Sequence, residues 1–269
     1  MRVGSFSLAQ VTFKGGVRDR LLHGVLVAAL LLLCSTPIFS SFSMRDVAGV
    51  AVSYTLSMIS VIGVILAVFL GGNLIARDIQ SRTIYSVATL PLSRSRYIMG
   101  KYLGLAQLLC CSLAILGLLN ALGLAAIAKG YPPDRPLQWL SYAACLAFDL
   151  EKLLILCAVL VLFSAIATST FLPMILTLAV YAVGESTEKV KFFIETVEGA
   201  KNVTPAVRGV SRIIYYLFPN LSLFDLKNQV IYALPLDPGA LLLTALYGIG
   251  YITVTLALAC AVFGRRDFV

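Results

Sequence analysis

The stretch GGNLIARDIQSRTIYSVATLPLSRSRYIMGKYLG, Gly71 to Gly104, is a basic polar segment held between two long apolar runs. Within it Arg77, Arg82, Arg94, Arg96 and Lys101 stand against a single acid, Asp78. Short cytoplasmic loops of membrane proteins collect Lys and Arg in this way. The segment therefore reads as a cationic element that a membrane-spanning chain presents to the cytoplasm.

Composition agrees with that reading. Hydrophobic residues make up 59% of the 269 and charged residues only 13%, which is outside ordinary globular usage and marks an integral membrane protein. The net charge of +8 has no interleaved basic and aromatic surface to display it, so it is assigned to topology and anionic lipid headgroups. Nucleic acid is not an expected partner.

A helix needs about 20 apolar residues to cross about 30 Å of hydrocarbon. Spans are expected near Leu21–Phe39, Val52–Ala76, Ile98–Ala128, Leu153–Thr168, Phe171–Gly184 and Pro238–Phe263, giving six crossings in one all-α domain. The fourth and fifth are short and close together. One long kinked helix is the competing reading there, but Pro173 and the polar Thr168-Ser169-Thr170 favour a tight reversal. With the N-terminus inside, the basic loop and Arg265-Arg266 also fall inside, whereas the first outer loop holds only Arg45. Both termini come out cytoplasmic.

Residues 1–20 lack a small-x-small cleavage site and are expected to stay on the protein. Phe6, Ala9, Phe13 and Val17 recur at helical spacing, which predicts an amphipathic helix along the inner interface. Residues 185–237 form an extracytoplasmic region. In it Glu188–Ala200 reads as a charged amphipathic helix with Val190, Phe193 and Val197 on one side. The aromatic stretch from Arg212 to Asp225, broken at Pro219-Asn220, suits interfacial or re-entrant helices.

The sequence carries no visible catalytic motif of its own. Cys34, Cys110, Cys111, Cys145, Cys157 and Cys260 lie in apolar runs without ligand spacing and read as packing residues. No metal site, phosphate-cradling loop, paired intramembrane carboxylates or nucleophile set is visible. Asp149, Glu151 and Lys152 read as a group at the outer end of the fourth span, with Asp149 and Lys152 spaced to pair. The spans then hold essentially no ionisable group near the midplane, and the energy for any transport must come from elsewhere.

The basic loop is suited to receive it. Asn73 to Val87 contains no Pro or Gly and can continue the helix of the second span; Pro91 breaks it and pushes Leu90 to extended geometry. Asp78 and Arg82 are also spaced to pair with each other, and Arg94, Arg96 and Lys101 to reach headgroups. Gly100 and Gly104 form a GxxxG that serves packing within the subunit or a dimer seam equally well.

Three segments carry a resemblance. Asp78 with Arg82-Thr83, then Leu90-Pro91-Leu92-Ser93-Arg94 and Gly100-Lys101-Tyr102-Leu103-Gly104, resemble the loop between the second and third spans of type-2 ABC transporter permeases. Pro219-Asn220 with Phe224-Asp225 resembles the family's segment before the last span, and Phe263-Gly264-Arg265-Arg266-Asp267-Phe268 its cytoplasmic end. The resemblance implies a permease of a bacterial inner-membrane exporter that acts as a homodimer with cytoplasmic ATP-binding cassette subunits. ATP and Mg would be held by that partner, and this chain would have no ATPase site and no cofactor. Arg77 to Thr83 would be the coupling helix, so that Arg77, Asp78, Arg82, Thr83, Pro91 and Arg94 form the coupling site. A subgroup that the Arg77-Asp78 and Arg82-Thr83 pairs match serves copper-enzyme maturation, which leaves a role directed at a periplasmic partner open beside solute export. A membrane anchor or scaffold subunit of a respiratory or secretion complex is the alternative from another class.

Overall fold

Local sequence marks several helix starts. Asp19 adopts extended backbone and its Oδ1 accepts from Leu21 N at 3.0 Å, capping a helix over Arg20–Cys34. Asp237 Oδ1 accepts from Gly239 N at 3.0 Å, and Pro238 takes the first helical position, where its missing N–H costs nothing. Ser169 Oγ accepts from Phe171 N at 3.3 Å at the start of another. In this computed structural model residues 5–41, 47–72, 94–130, 138–167, 169, 171–195 and 205–265 are described.

Among the described residues all regular structure is helical. The order is α1 (Ser5–Val17), α2 (Arg20–Cys34), α3 (Thr36–Ser41), α4 (Val47–Ile65) continued by a π turn (Leu66–Leu70), α5 (Arg94–Gly130), α6 (Trp139–Ile166) and α7 (Phe171–Glu195). Then come α8 (Pro205–Leu217), a 3₁₀ turn (Leu221–Phe224), α9 (Lys227–Ile231) and α10 (Pro238–Arg265). Among the described residues four segments are long and apolar enough to cross a membrane: Arg20–Ser40, Val47–Leu70, Ser95–Lys129 and Pro238–Arg265. Helices α6 and α7 are not among them, because Asp149, Glu151 and Lys152 interrupt the first and Glu185, Glu188, Lys189 and Lys191 the second.

Contacts fix the directions of the helices. Ser35, just past α2, bonds Tyr54 near the start of α4 at 3.0 Å, so α2 and α4 are antiparallel. Gly63 faces Leu153 and Gly71 faces Leu160, so α4 and α6 run the same way. Gly117 of α5 faces Leu146, whereas Leu105 approaches Gly71, so α5 opposes α6. Lys152 and Glu185 lie equally far from the break between α6 and α7, about 20 Å along each helix at 1.5 Å per residue. Their side chains meet at 3.2 Å, which makes α6 and α7 a hairpin rather than one kinked helix. Tyr97 at the start of α5 stacks on Phe263 near the end of α10, with ring centroids 5.9 Å apart. The long helices therefore alternate in direction. Helix α1, Gly72, Arg94, the break at 167–170 and the end of α10 share one end of the bundle, called here the loop end.

Several boundaries differ from expectation. The fourth apolar run belongs to a helix that starts at Trp139, because Asp149 and Lys152 neutralise each other inside it instead of ending it. The fifth continues to Glu195, absorbing most of the amphipathic stretch expected from Glu188, and its Val190 and Phe193 are exposed rather than packed. On α1 the residues buried against the bundle are Ala9, Thr12 and Gly16, while Phe13 is half-buried and Val17 exposed. Small residues win there because α1 lies close against α5, where a Cβ on Gly104 would sit 2.5 Å from Thr12 Cβ and 2.8 Å from the Ala9 carbonyl oxygen. Gly104 thus serves packing within the subunit. Of the cysteines, Cys145 and Cys157 are buried, while Cys34, Cys110 and Cys111 are exposed and pack no core.

The same glycine gives a test. Gly104→Val should cost about 1–3 kcal/mol by overpacking and push α1 off α5. A cysteine replacing buried Ala9 should then become reactive to maleimide, whereas Gly123→Val, which meets open space, should leave it protected.

Candidate functional site

Two places in the bundle can do work. The first is the loop end. Arg77, Asp78, Arg82, Thr83 and Pro91 lie outside the described residues, and Arg94 is the first residue of α5. What the structure does place is their frame. Helix α4 reaches Gly72 through the π turn, whose Leu66, Ala67, Val68 and Leu70 are all buried. Beyond it Leu160 of α6 packs at Gly71 and Met174 of α7 at Gly72. On the α5 side Arg96 is exposed, and Lys101 is buried with its ammonium 5.9 Å from the Tyr97 ring centroid. Lys101 is therefore part of the packed base and not a headgroup contact. The segment 73–93 is thus carried between two helix ends that are seated in the core.

The second is a buried polar cluster halfway along the bundle. Lys152 is 1% exposed, and its ammonium lies 2.9 Å from Asp149 Oδ1 and 3.2 Å from Glu185 Oε1. The same ammonium donates to Ser60 Oγ at 2.9 Å, and Ser60 Oγ donates to Asp149 Oδ1 at 2.8 Å. Three helices, α4, α6 and α7, meet at one ammonium. Glu151 points elsewhere, into the space left by Gly248 on α10 beside Phe224, and among the described residues its Oε1 is buried without a hydrogen-bond partner. The sequence placed Asp149, Glu151 and Lys152 at the outer end of the fourth apolar run, whereas the helix that carries that run extends well beyond them. The residues sit at the middle of α6, beside the middle of α4.

Above the cluster the chain between α7 and α10 folds inward. Pro219, Asn220 and Leu221 are buried, with Asn220 N donating to Tyr247 Oη at 2.9 Å. A Cβ on Gly184 would lie 2.6 Å from the Pro219 carbonyl oxygen, so only glycine allows the turn so close to α7. Phe224 packs between Phe148 and Tyr247, with centroids 6.3 Å from each. The turn is thus seated among α6, α7 and α10, about 14 Å short of the Trp139 end of α6. Helix α8 before it exposes Val210, Ile213 and Leu217, and Lys191 of α7 lies 4.5 Å from the Tyr215 ring centroid.

A family model described as ABC-2 family transporter protein matches residues 7–268. The chain belongs to that family. It is a type-2 ABC transporter permease, a multi-pass membrane protein, and membership implies an ATP-binding cassette subunit as its partner in general. No curated protein matches it.

Sequence reading of the permease missed Ser60, Glu185 and Gly248 as members of a site. The available signal was Lys152 itself, since an ammonium in an apolar helix requires partners on neighbouring helices. Replacing Lys152 with Met should leave Asp149 and Glu185 uncompensated and destabilise the bundle by about 3–5 kcal/mol. Thermal unfolding in nanodiscs should show Lys152→Met melting well below the native chain and Lys152→Arg, which keeps the charge, falling between them.

Proposed function

We propose that this chain is the permease subunit of an ATP-driven exporter and works as a homodimer in a bacterial inner membrane. The helices α2, α4, α5, α6, α7 and α10 are its six crossings, with the loop end cytoplasmic and both termini inside. The carrying observation is the family match over nearly the whole chain, joined to a bundle whose core-seated helix ends frame the basic loop. A rigid frame passes on a push that a flexible loop would absorb. In this reading the residues Arg77–Thr83 form a coupling helix seated in a cleft of the ATP-binding subunit, with Asp78 and Arg82 fixing it and Pro91 and Arg94 setting the corner behind it. ATP and Mg belong to that partner; the permease contributes no ATPase site and holds no cofactor. Helix α8, the Pro219-Asn220 turn and α9 form a re-entrant outer element, available to a periplasmic partner. Work delivered at the loop end is spent either on moving a substrate through the dimer interface or on signalling outward.

Co-purification tests the assignment. The chain should hydrolyse no ATP alone and should bring down a cytoplasmic ATP-binding protein; a stable, active complex without one identifies an anchor or scaffold subunit instead. Within the complex, Arg82→Glu should weaken association or uncouple hydrolysis, while Arg96→Gln leaves both intact. Exposed ion pairs contribute only about 0–1 kcal/mol, so misfolding is not the expected route to the defect.

Sidedness is the second test. With native cysteines removed, a cysteine at Ser93 should react with impermeant thiol reagents from the cytoplasm only and one at Ser186 from outside only. Labelling of both from one side contradicts the six-crossing topology.

A further inference from the structure

The buried cluster ties α4, α6 and α7 together by polar contacts, well away from the apolar contacts that Gly71 and Gly72 make with Leu160 and Met174 at the loop end. Ser60 sits on α4, whose far end carries the basic loop. Glu185 sits on α7, one residue beyond Gly184, where the Pro219–Leu221 turn is packed, and Glu188 accepts from Ser222 Oγ at 2.7 Å. Between them stands one ammonium, 2.9 Å from Ser60 Oγ and 3.2 Å from Glu185 Oε1. Breaking a buried pair leaves an uncompensated charge, so these side chains stay together when the helices shift. Asp149 holds Lys152 on its own helix, which keeps the ammonium central whichever neighbour moves.

We propose that Lys152 is the positioning residue through which displacement of α4 at the loop end reaches α7 and the buried Pro219–Phe224 turn. Ser60 is the input contact and Glu185 the output contact, and Glu185 is the more accessible of Lys152's two carboxylate partners, at 24% side-chain exposure against 9% for Asp149. The link is contiguous from α4 to the turn: Ser60, Lys152, Glu185, then Gly184 against Pro219 and Leu221. The source of the displacement rests on the permease reading; the link rests on the contacts alone.

The test uses the full chain in nanodiscs with its native cysteines replaced. A cysteine at Thr187, buried on α7, reports on the output side, and one at Ser141, buried on α6, reports on general loosening. Glu185→Ala should raise maleimide reactivity at position 187 by about tenfold while position 141 stays unchanged, because only α7 loses its tie. Unchanged reactivity at 187, or a rise at both positions, overturns the link. In the complex with the ATP-binding subunit, spin labels at Ser186 and Trp139 should change separation on ATP binding. Ser60→Ala and Glu185→Ala should each abolish that change while ATP hydrolysis continues; a change that persists in either variant overturns the proposal. If no ATP-binding subunit associates, the permease reading falls, and the labelling at position 187 still decides whether Lys152 ties α7 to its neighbours.

Discussion

An ammonium buried at the centre of an apolar bundle constrains everything around it. Lys152 cannot shed its charge cost into water, so the helices that supply Asp149, Glu185 and Ser60 must stay within hydrogen-bond reach of one point. That requirement fixes the depth of α4 against α6 and of α6 against α7, and it makes the short 167–170 break a true reversal. Packing alone would leave those depths loosely set, since lipid tails are as apolar as leucine and helices gain little by sliding to any particular register.

Close approach does the rest. Where α1 meets α5, and where the Pro219 turn meets α7, a glycine removes the side chain that would hold the backbones apart. Gly248 plays a related part for a polar group, leaving room beside α10 for the Glu151 carboxylate. Glycine and ion pair thus divide the work: the first lets elements touch, the second decides where along their length they do so.

Helical class and the long apolar segments were legible because apolar runs have only one economical solution in lipid. The ends were not. Charges at 149–152 looked like a boundary because composition weighs each residue singly, whereas the fold neutralises Lys152 with Glu185, 33 positions away. The stripe that α1 buries, Ala9, Thr12 and Gly16, was not legible because the contact with α5 selects for small residues that periodicity does not single out. The reversal after the fourth run was readable from Pro173 and Ser169, whose roles are local and need no distant partner. The site residues on the basic loop, Arg77 through Pro91, rest on sequence and resemblance, while the frame that carries them rests on structure.

The π turn at Leu66–Leu70 carries a consequence of its own. Such a turn holds one residue more than the α turn covering the same rise, so the extra residue is absorbed locally and the helix continues on either side of it. Ser60 meets Asp149 of α6 before the turn and Gly71 meets Leu160 of α6 after it. The helix thereby carries one residue that its α-helical course does not need, and losing one residue within Leu66–Leu70 would close the π turn to an α turn while leaving Gly71 against Leu160 and Ser60 against Asp149.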